Sequence, residues 1–234
     1  MNTENRNKDG TLGAIIVAAG ASRRMGSVNK VFAVLGGRPV LAWSVDTCQR
    51  HRLVRQIVLV LNDKDLDRGQ ELLRQRDWDK VTVCSGGARR QDSVQEGLRQ
   101  LGSCDWVMIH DGARPFLTPE LIEDGLEIVG KTGAAVAAVP IRDTIKLSDS
   151  RNLIDETLKR EQLWAAQTPQ IFDFDIITRA YENLTTEVTD DAAAVAQLGY
   201  KAKLYMGDYG NIKITTPEDL KLARIIAREW KQRN

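Results

Sequence analysis

Residues 14–30 read AIIVAAGASRRMGSVNK, and within them small residues and cations are placed for work on an anion. Ala18, Ala19, Gly20, Ala21 and Ser22 are small enough for a ligand to lie against the backbone itself. Arg23, Arg24, a second glycine at Gly26, and Lys30 follow. Bare N–H groups combined with guanidinium and ammonium charges suit a polyanion, above all a nucleotide triphosphate. The spacing excludes two familiar phosphate loops. Ser27 follows Gly26 where a Walker loop needs Lys and then Ser or Thr, and there is no G-x-G-x-x-G. A glycine-rich turn with solvated arginines is the simpler alternative, and the later segments weigh against it.

Two of those segments repeat the chemistry. SGGARRQDS places Gly86 and Gly87 where a flat ring could lie, with Ser93 able to hydrogen-bond it. HDGARP puts Asp111 and Arg114 at the rim of the same edge, while His110 reads as a buried strand histidine rather than a base. Near the end, Lys213 is flanked by Ile212 and Ile214 on what reads as a short strand, so its side chain faces opposite to theirs; taken alone it reads as a solvated lysine, and beside a basic pocket as a candidate ligand.

The elements that must position these residues alternate. Apolar runs at 14–17, 56–61, 80–84, 106–110 and 134–139 read as buried strands. Between them, 39–51, 65–76, 91–101 and 119–129 carry helical patterns, the last capped by Thr118. Strict alternation implies a Rossmann-like, doubly wound α/β fold with a mostly parallel sheet. In such a sheet ligands sit at the carboxyl ends of the strands, which is where all three loops fall.

From 141 to 162 the alternation breaks. IRDTIKLSDSRNLIDETLKREQ is polar, with a turn cluster at 148–152, and reads as a β-hairpin-like arm too poor in apolar surface to pack alone. Such an arm usually finds burial against a second subunit, a mobile surface loop being the alternative. Beyond it, 163–167 reads as a strand running into Thr168-Pro169-Gln170. Helices follow at 174–183 and at 190–198, the second capped by Thr189, with Asp190 and Asp191 at its positive end. Short strands are expected at 203–206 and 212–215, and a final helix starts at Thr216-Pro217.

Composition bounds the rest. The chain has 234 residues, 42% of them apolar, enough for one core spanning 13–234 behind a polar, disordered and cytoplasmic N-terminus at 1–12. A net charge of +1 argues against a bulk nucleic-acid or membrane-surface binder, and no apolar run has membrane-spanning length. Cys48, Cys84 and Cys104 form no C-x-x-C and read as reduced bystanders.

AAGASRRMG, GGARRQDSV, HDGARPF, VPIRDTIK, LWAAQTPQ, TDDAA and NIKITTPEDL occur in the order found in the methylerythritol phosphate cytidylyltransferases of non-mevalonate isoprenoid synthesis, and the chain resembles that family nearly throughout. The ribitol-phosphate cytidylyltransferases are similar to it at fewer of these segments. The resemblance implies transfer of a cytidylyl group from CTP to 2-C-methyl-D-erythritol 4-phosphate, with Mg²⁺ as cofactor and pyrophosphate released. It implies that Arg24 and Lys30 stabilise the triphosphate and the five-coordinate transition state, and that Arg160 and Lys213 position the methylerythritol phosphate. Asp111, Arg114, Thr144 and Thr168 would be substrate contacts, and Asp111 the candidate protein ligand of the metal. Ala18, Ala19, Gly20, Gly87 and Ser93 match the cytidine-binding loops. The arm would exchange between the subunits of a homodimer, so that Thr144 and Arg160 serve the partner's site. Another polyol phosphate such as ribitol 5-phosphate is the second substrate reading, and a catalytically silent nucleotide-binding module the third. The chain departs from common family patterns at Asn29, Ala88 and Gly210.

Overall fold

The apolar runs of the sequence become the strands of a single sheet. The computed structural model describes residues 10–20 and 29–233. In chain order it contains β1 (Leu12–Val17), a two-residue pair β2 (Val34–Leu35) and β3 (Arg38–Pro39), helix α1 (Val40–Arg50), β4 (Val54–Leu61), α2 (Leu66–Arg74) and β5 (Val81–Ser85). Then come α3 (Arg90–Gln100), β6 (Trp106–Asp111), α4 (Pro119–Thr132), β7 (Ala134–Pro140), the arm strands β8 (Lys146–Ser148) and β9 (Ile154–Thr157), and β10 (Trp164–Asp173). The chain closes with α5 (Phe174–Glu182), α6 (Asp191–Gln197), β11 (Lys203–Met206) and α7 (Pro217–Arg233).

The seven-stranded sheet runs β11-β7-β10-β6-β1-β4-β5. β1 lies parallel to β4 and β6, as does β4 to β5 and β7 to β11. β10 alone runs against its neighbours, antiparallel to both β6 and β7. Alternate residues of β1 feed two apolar layers: Ala14 and Ile16 pack with Leu41 and Val45 of α1, while Ile15 packs with Val94 and Leu98 of α3. Ile15 and Ile16 are both fully buried, and each such side chain contributes about 1.5–3 kcal/mol by leaving water. A third cluster joins Trp43, Phe116 and Ile214 to Ala223 and Ala227 of α7, and so fastens the last helix near the strand ends. No helix among the described residues is long and apolar enough to cross a membrane.

Several expectations shift. The disorder expected at 1–12 does not hold for Thr11 and Leu12: the backbone N–H and hydroxyl of Thr11 donate to Asp105 Oδ2 at 2.8 and 2.9 Å, and Leu12 opens β1. Residues 1–9 lie outside the described ones. The strand expected at 163–167 continues through Thr168-Pro169, a cis bond, to Asp173. Pro169 falls at the register irregularity between Ala166 and Gln170, where a missing N–H breaks no ladder bond. The N-cap of α6 is Asp190, which accepts from the Ala193 amide at 3.0 Å, not Thr189. Residues 212–215 form no strand: the Ile214 amide donates to Ala113 O at 2.9 Å, in the loop after β6, and no ladder follows. The arm at 141–162 is indeed a hairpin, β8 antiparallel to β9, with Leu147 and Ile154 left 48% and 64% exposed.

Candidate active site

Three loops meet at the carboxyl ends of β1, β5 and β6, and the glycines show how tightly. A Cβ added at Gly86 would lie 2.6 Å from Ala19 Cβ and 2.7 Å from Ser93 Oγ. One added at Gly112 would lie 2.9 Å from Ala18 Cβ. Only bare backbone lets the β5 and β6 loops close against the β1 loop. They enclose a cavity of about 280 Å³, bounded by Ala18, Ala19, Gly20, Lys30, Gly87, Arg90, Ser93, Asp111 and Lys213 among others. Lys30 Nζ stands 4.0 Å from where a Gly20 Cβ would be.

The β5 loop is shaped by the first turn of α3. The Ser93 hydroxyl accepts from the Gly87 amide at 3.2 Å and donates to Arg89 O at 3.2 Å. Asp92 accepts from the Arg89 amide at 3.0 Å and pairs with the Arg89 guanidinium at 2.7 Å. The neighbouring Arg90, first residue of α3, borders the cavity as Arg89 does, but its terminal nitrogens turn to Asp191.

Asp111 is the electrostatic hub. Lys213 Nζ lies 2.7 Å from its Oδ2, Arg114 Nε 3.8 Å from the same oxygen, and Arg90 Nε 3.3 Å from Oδ1. Burial alone would raise the Asp111 carboxyl, but Lys213, then Arg90 and Arg114, outweigh it and hold the group well below the usual carboxylate range. Lys213 reaches this position because its loop is tied at both sides: Ile214 to Ala113 O, and Asn211, whose carbonyl accepts from Arg114 at 2.6 Å and whose amide donates to Thr168 O at 2.8 Å. Among the described residues at or just behind the cavity, five cations, Lys30, Arg89, Arg90, Arg114 and Lys213, face three carboxylates, Asp92, Asp111 and Asp191. The surplus is positive, as a triphosphate requires.

Of the residues singled out in the sequence, Ala18, Ala19, Gly20, Lys30, Gly87, Ser93, Asp111 and Lys213 share the cavity. Thr168 and Arg114 support it from behind. The Thr168 hydroxyl oxygen accepts from the Asp111 amide at 3.0 Å and contacts His110 Nδ1 at 3.0 Å. His110 is wholly buried, its Nε2 3.0 Å from Arg114 O, and burial pushes its imidazole down to about 4. It is a strut, not a base. Thr144 and Arg160 stand exposed on the arm and do not line the cavity; Arg160 donates to Arg142 O at 3.0 Å. Arg24 lies outside the described residues. Sequence reasoning passed over Arg90 and read its buried partner Asp191 only as an acid at a helix start, although both stood inside quoted segments, GGARRQDSV and TDDAA. Among the described residues no three His, Cys, Asp or Glu side chains gather to hold a metal, and both oxygens of Asp111 are already engaged by cations.

Comparison with known proteins matches nearly the whole chain to one family. The family model described as 2-C-methyl-D-erythritol 4-phosphate cytidylyltransferase matches residues 12–229. A protein of that name from Dehalococcoides mccartyi is 48% identical over 219 residues, 93% of this chain and 96% of the relative. One from Alkaliphilus metalliredigens is 40% identical over 93% of each chain. Among solved structures, the 4-diphosphocytidyl-2C-methyl-D-erythritol synthase of Anaerococcus prevotii superposes with a TM-score of 0.84 at 33% identity, covering 97% of this chain and 100% of that one. The cytidylyltransferase of Thermus thermophilus does so at 0.76 and 30%, over 93% and 99%. The glycine loops, the lysines they bring together and this likeness over nearly the full length agree, and the chain belongs to the 2-C-methyl-D-erythritol 4-phosphate cytidylyltransferase family.

Proposed function

We propose that this member of the family works by fixed charge, without a covalent intermediate or a strong base. The chain transfers the cytidylyl group of CTP to 2-C-methyl-D-erythritol 4-phosphate, giving CDP-methylerythritol and pyrophosphate. A phosphate oxygen of the acceptor attacks the α-phosphorus of CTP in line, and the bond from that phosphorus to the bridging oxygen breaks, carrying its electron pair out on pyrophosphate. The nucleophile is already anionic. What the step asks of the protein is alignment and stabilisation of charge on the five-coordinate phosphorus.

The observation that carries this reading is the convergence of Lys30 and Lys213, from opposite ends of the chain, on one cavity walled by bare backbone. In the proposal Lys30, with Arg24 from the same loop, grips the triphosphate, and Lys213 faces the acceptor phosphate. Ala18, Ala19, Gly20, Gly87 and Ser93 receive the cytidine, while Arg114 and Thr168 keep Asp111 and the Lys213 loop in place. A divalent ion, Mg²⁺ in this proposal, would neutralise phosphate charge, with phosphate oxygens supplying its ligands, because Arg90 and Lys213 already occupy the two oxygens of Asp111. Thr144 and Arg160 act in the site of a second copy, within a homodimer joined through the arm. A reaction drawing on CTP fits the cytoplasm.

The test is pyrophosphate release from CTP. Turnover is expected with methylerythritol phosphate and little or none with ribitol 5-phosphate. Lys30→Ala and Lys213→Ala should each lower kcat about 10²–10³-fold, the scale of one lost transition-state donor. Full turnover in both variants would overturn the proposal.

A further inference from the structure

On the cavity wall, Arg90 lies between two carboxylates and treats them unequally. Its terminal nitrogens Nη1 and Nη2 grip Asp191 Oδ1 and Oδ2 at 3.0 and 2.7 Å, a bidentate fork. Asp111 receives only Nε, at 3.3 Å. The preference is enforced from the far side. Asp191 is wholly buried, and the Tyr181 hydroxyl donates to its Oδ1 at 2.6 Å. The first turn of α6 is itself pinned: Asp190 caps the Ala193 amide, and Gln170 accepts from the Ala192 amide at 3.0 Å while donating to Asp190 at 3.0 Å. The carboxylate at 191 therefore has little freedom to follow Arg90 towards the cavity.

A buried ion pair rarely stabilises a fold more than apolar residues of the same shape would, so stability alone gives no reason for this one. Its effect on the cavity does. Without a charged group at 191, the planar fork of Arg90 would swing to the remaining carboxylate, Asp111, whose Oδ2 now accepts Lys213 at 2.7 Å. Two cations would then compete for one carboxylate, and Lys213 would lose the contact that aims it.

We infer that Asp191, seated by Tyr181, is a positioning residue for the transfer: it holds the fork of Arg90 back from the cavity and so reserves Asp111 Oδ2 for Lys213. The inference rests on the reading of Lys213 given above. Its signature differs from that of a structural role. Freeing the Arg90 charge towards a triphosphate leaves CTP binding intact or tighter, whereas loosening of the fold weakens it.

Steady-state kinetics of Asp191→Asn, alone and combined with Lys213→Ala, provide the test. Asp191→Asn should lower kcat about 10–100-fold, the range seen when the outer partner of a functional group is lost, with KM for CTP unchanged or reduced. On the Lys213→Ala background the same substitution should cost almost nothing further, since the residue it acts through is gone. Tyr181→Phe keeps every charge and removes one hydrogen bond; a kcat about five-fold lower at the same KM is expected, and this variant decides the matter if Asp191→Asn does not fold. Full kcat in Tyr181→Phe or Asp191→Asn, or an Asp191→Asn loss undiminished on the Lys213→Ala background, would overturn the inference while leaving the assigned reaction standing. Full turnover in Lys213→Ala would instead remove the reading beneath it.

Discussion

His110 shows how little a residue type says until its surroundings are known. A histidine beside a phosphate-handling pocket invites the role of base, yet its nitrogens are taken by Thr168 and the Arg114 carbonyl and its charged form is refused. Below about pH 6.5 the unfolded chain takes up a proton here that the folded chain rejects until near pH 4, so stability falls as pH drops across that window. The loss should reach about 3 kcal/mol. Asp111 adds to it only below about pH 4, where the unfolded carboxyl takes a proton that the folded one still resists. Thermal melts from pH 7 to 4 should show the decline, and His110→Gln should flatten the part above pH 4. The bland reading of His110 was available from its place on an apolar strand. The difference between Arg89 and Arg90 was not: adjacent in sequence and both bordering the cavity, they pair differently, one with Asp92, the other with Asp111 and Asp191. Asp190 and Asp191 divide in the same way, a cap and a buried counter-ion. No composition or spacing rule separates such pairs until the helix is docked.

Among the elements, the buried strands announced themselves, because a run such as Ile57 to Leu61 has nowhere to go but between two layers. Residues 212–215 misled because Ile212 and Ile214 alternate with polar neighbours as a strand would; Ile214 is buried by the third cluster, not by a sheet. The arm is the element whose purpose is least satisfied within one chain. Leu147, Leu153 and Ile154 are exposed, and Thr144 and Arg160 sit away from the cavity. If the arm reaches into a second copy, Leu153→Asp with Ile154→Asp should shift sedimentation to the monomer and abolish turnover while CTP still binds. Complementation is the sharper measurement. Mixing Arg160→Ala with Lys213→Ala subunits should restore about a quarter of wild-type turnover, because half the dimers are mixed and one site in each has both groups. No restoration after subunit exchange would place Arg160 in its own chain's reaction or in none.

For the molecule as a whole, the sheet is common to both large apolar layers, so neither can melt and leave the other in place. A single unfolding transition is expected, with calorimetric and van't Hoff enthalpies equal. Ligand should then stabilise the entire chain: CTP at about a hundred times its Kd adds about 2.7 kcal/mol, which raises Tm by about 5–10 °C for a chain of this size. An absent shift would mean that the cavity does not take the nucleotide.

The register at the root of the arm carries one more implication. Pro140 and Trp164 sit opposite each other on adjacent antiparallel strands, so the hairpin leaves and re-enters the sheet at a single rung, like a side branch grafted at one node. If the arm serves a second copy, pruning it, with a tight turn spliced from 140 to 164, should spare the trunk: a smaller, solitary molecule that still captures nucleotide yet has no means of completing a neighbour's reaction. On that reading the capacity to hold CTP is private to each copy, and the capacity to use it is held in common.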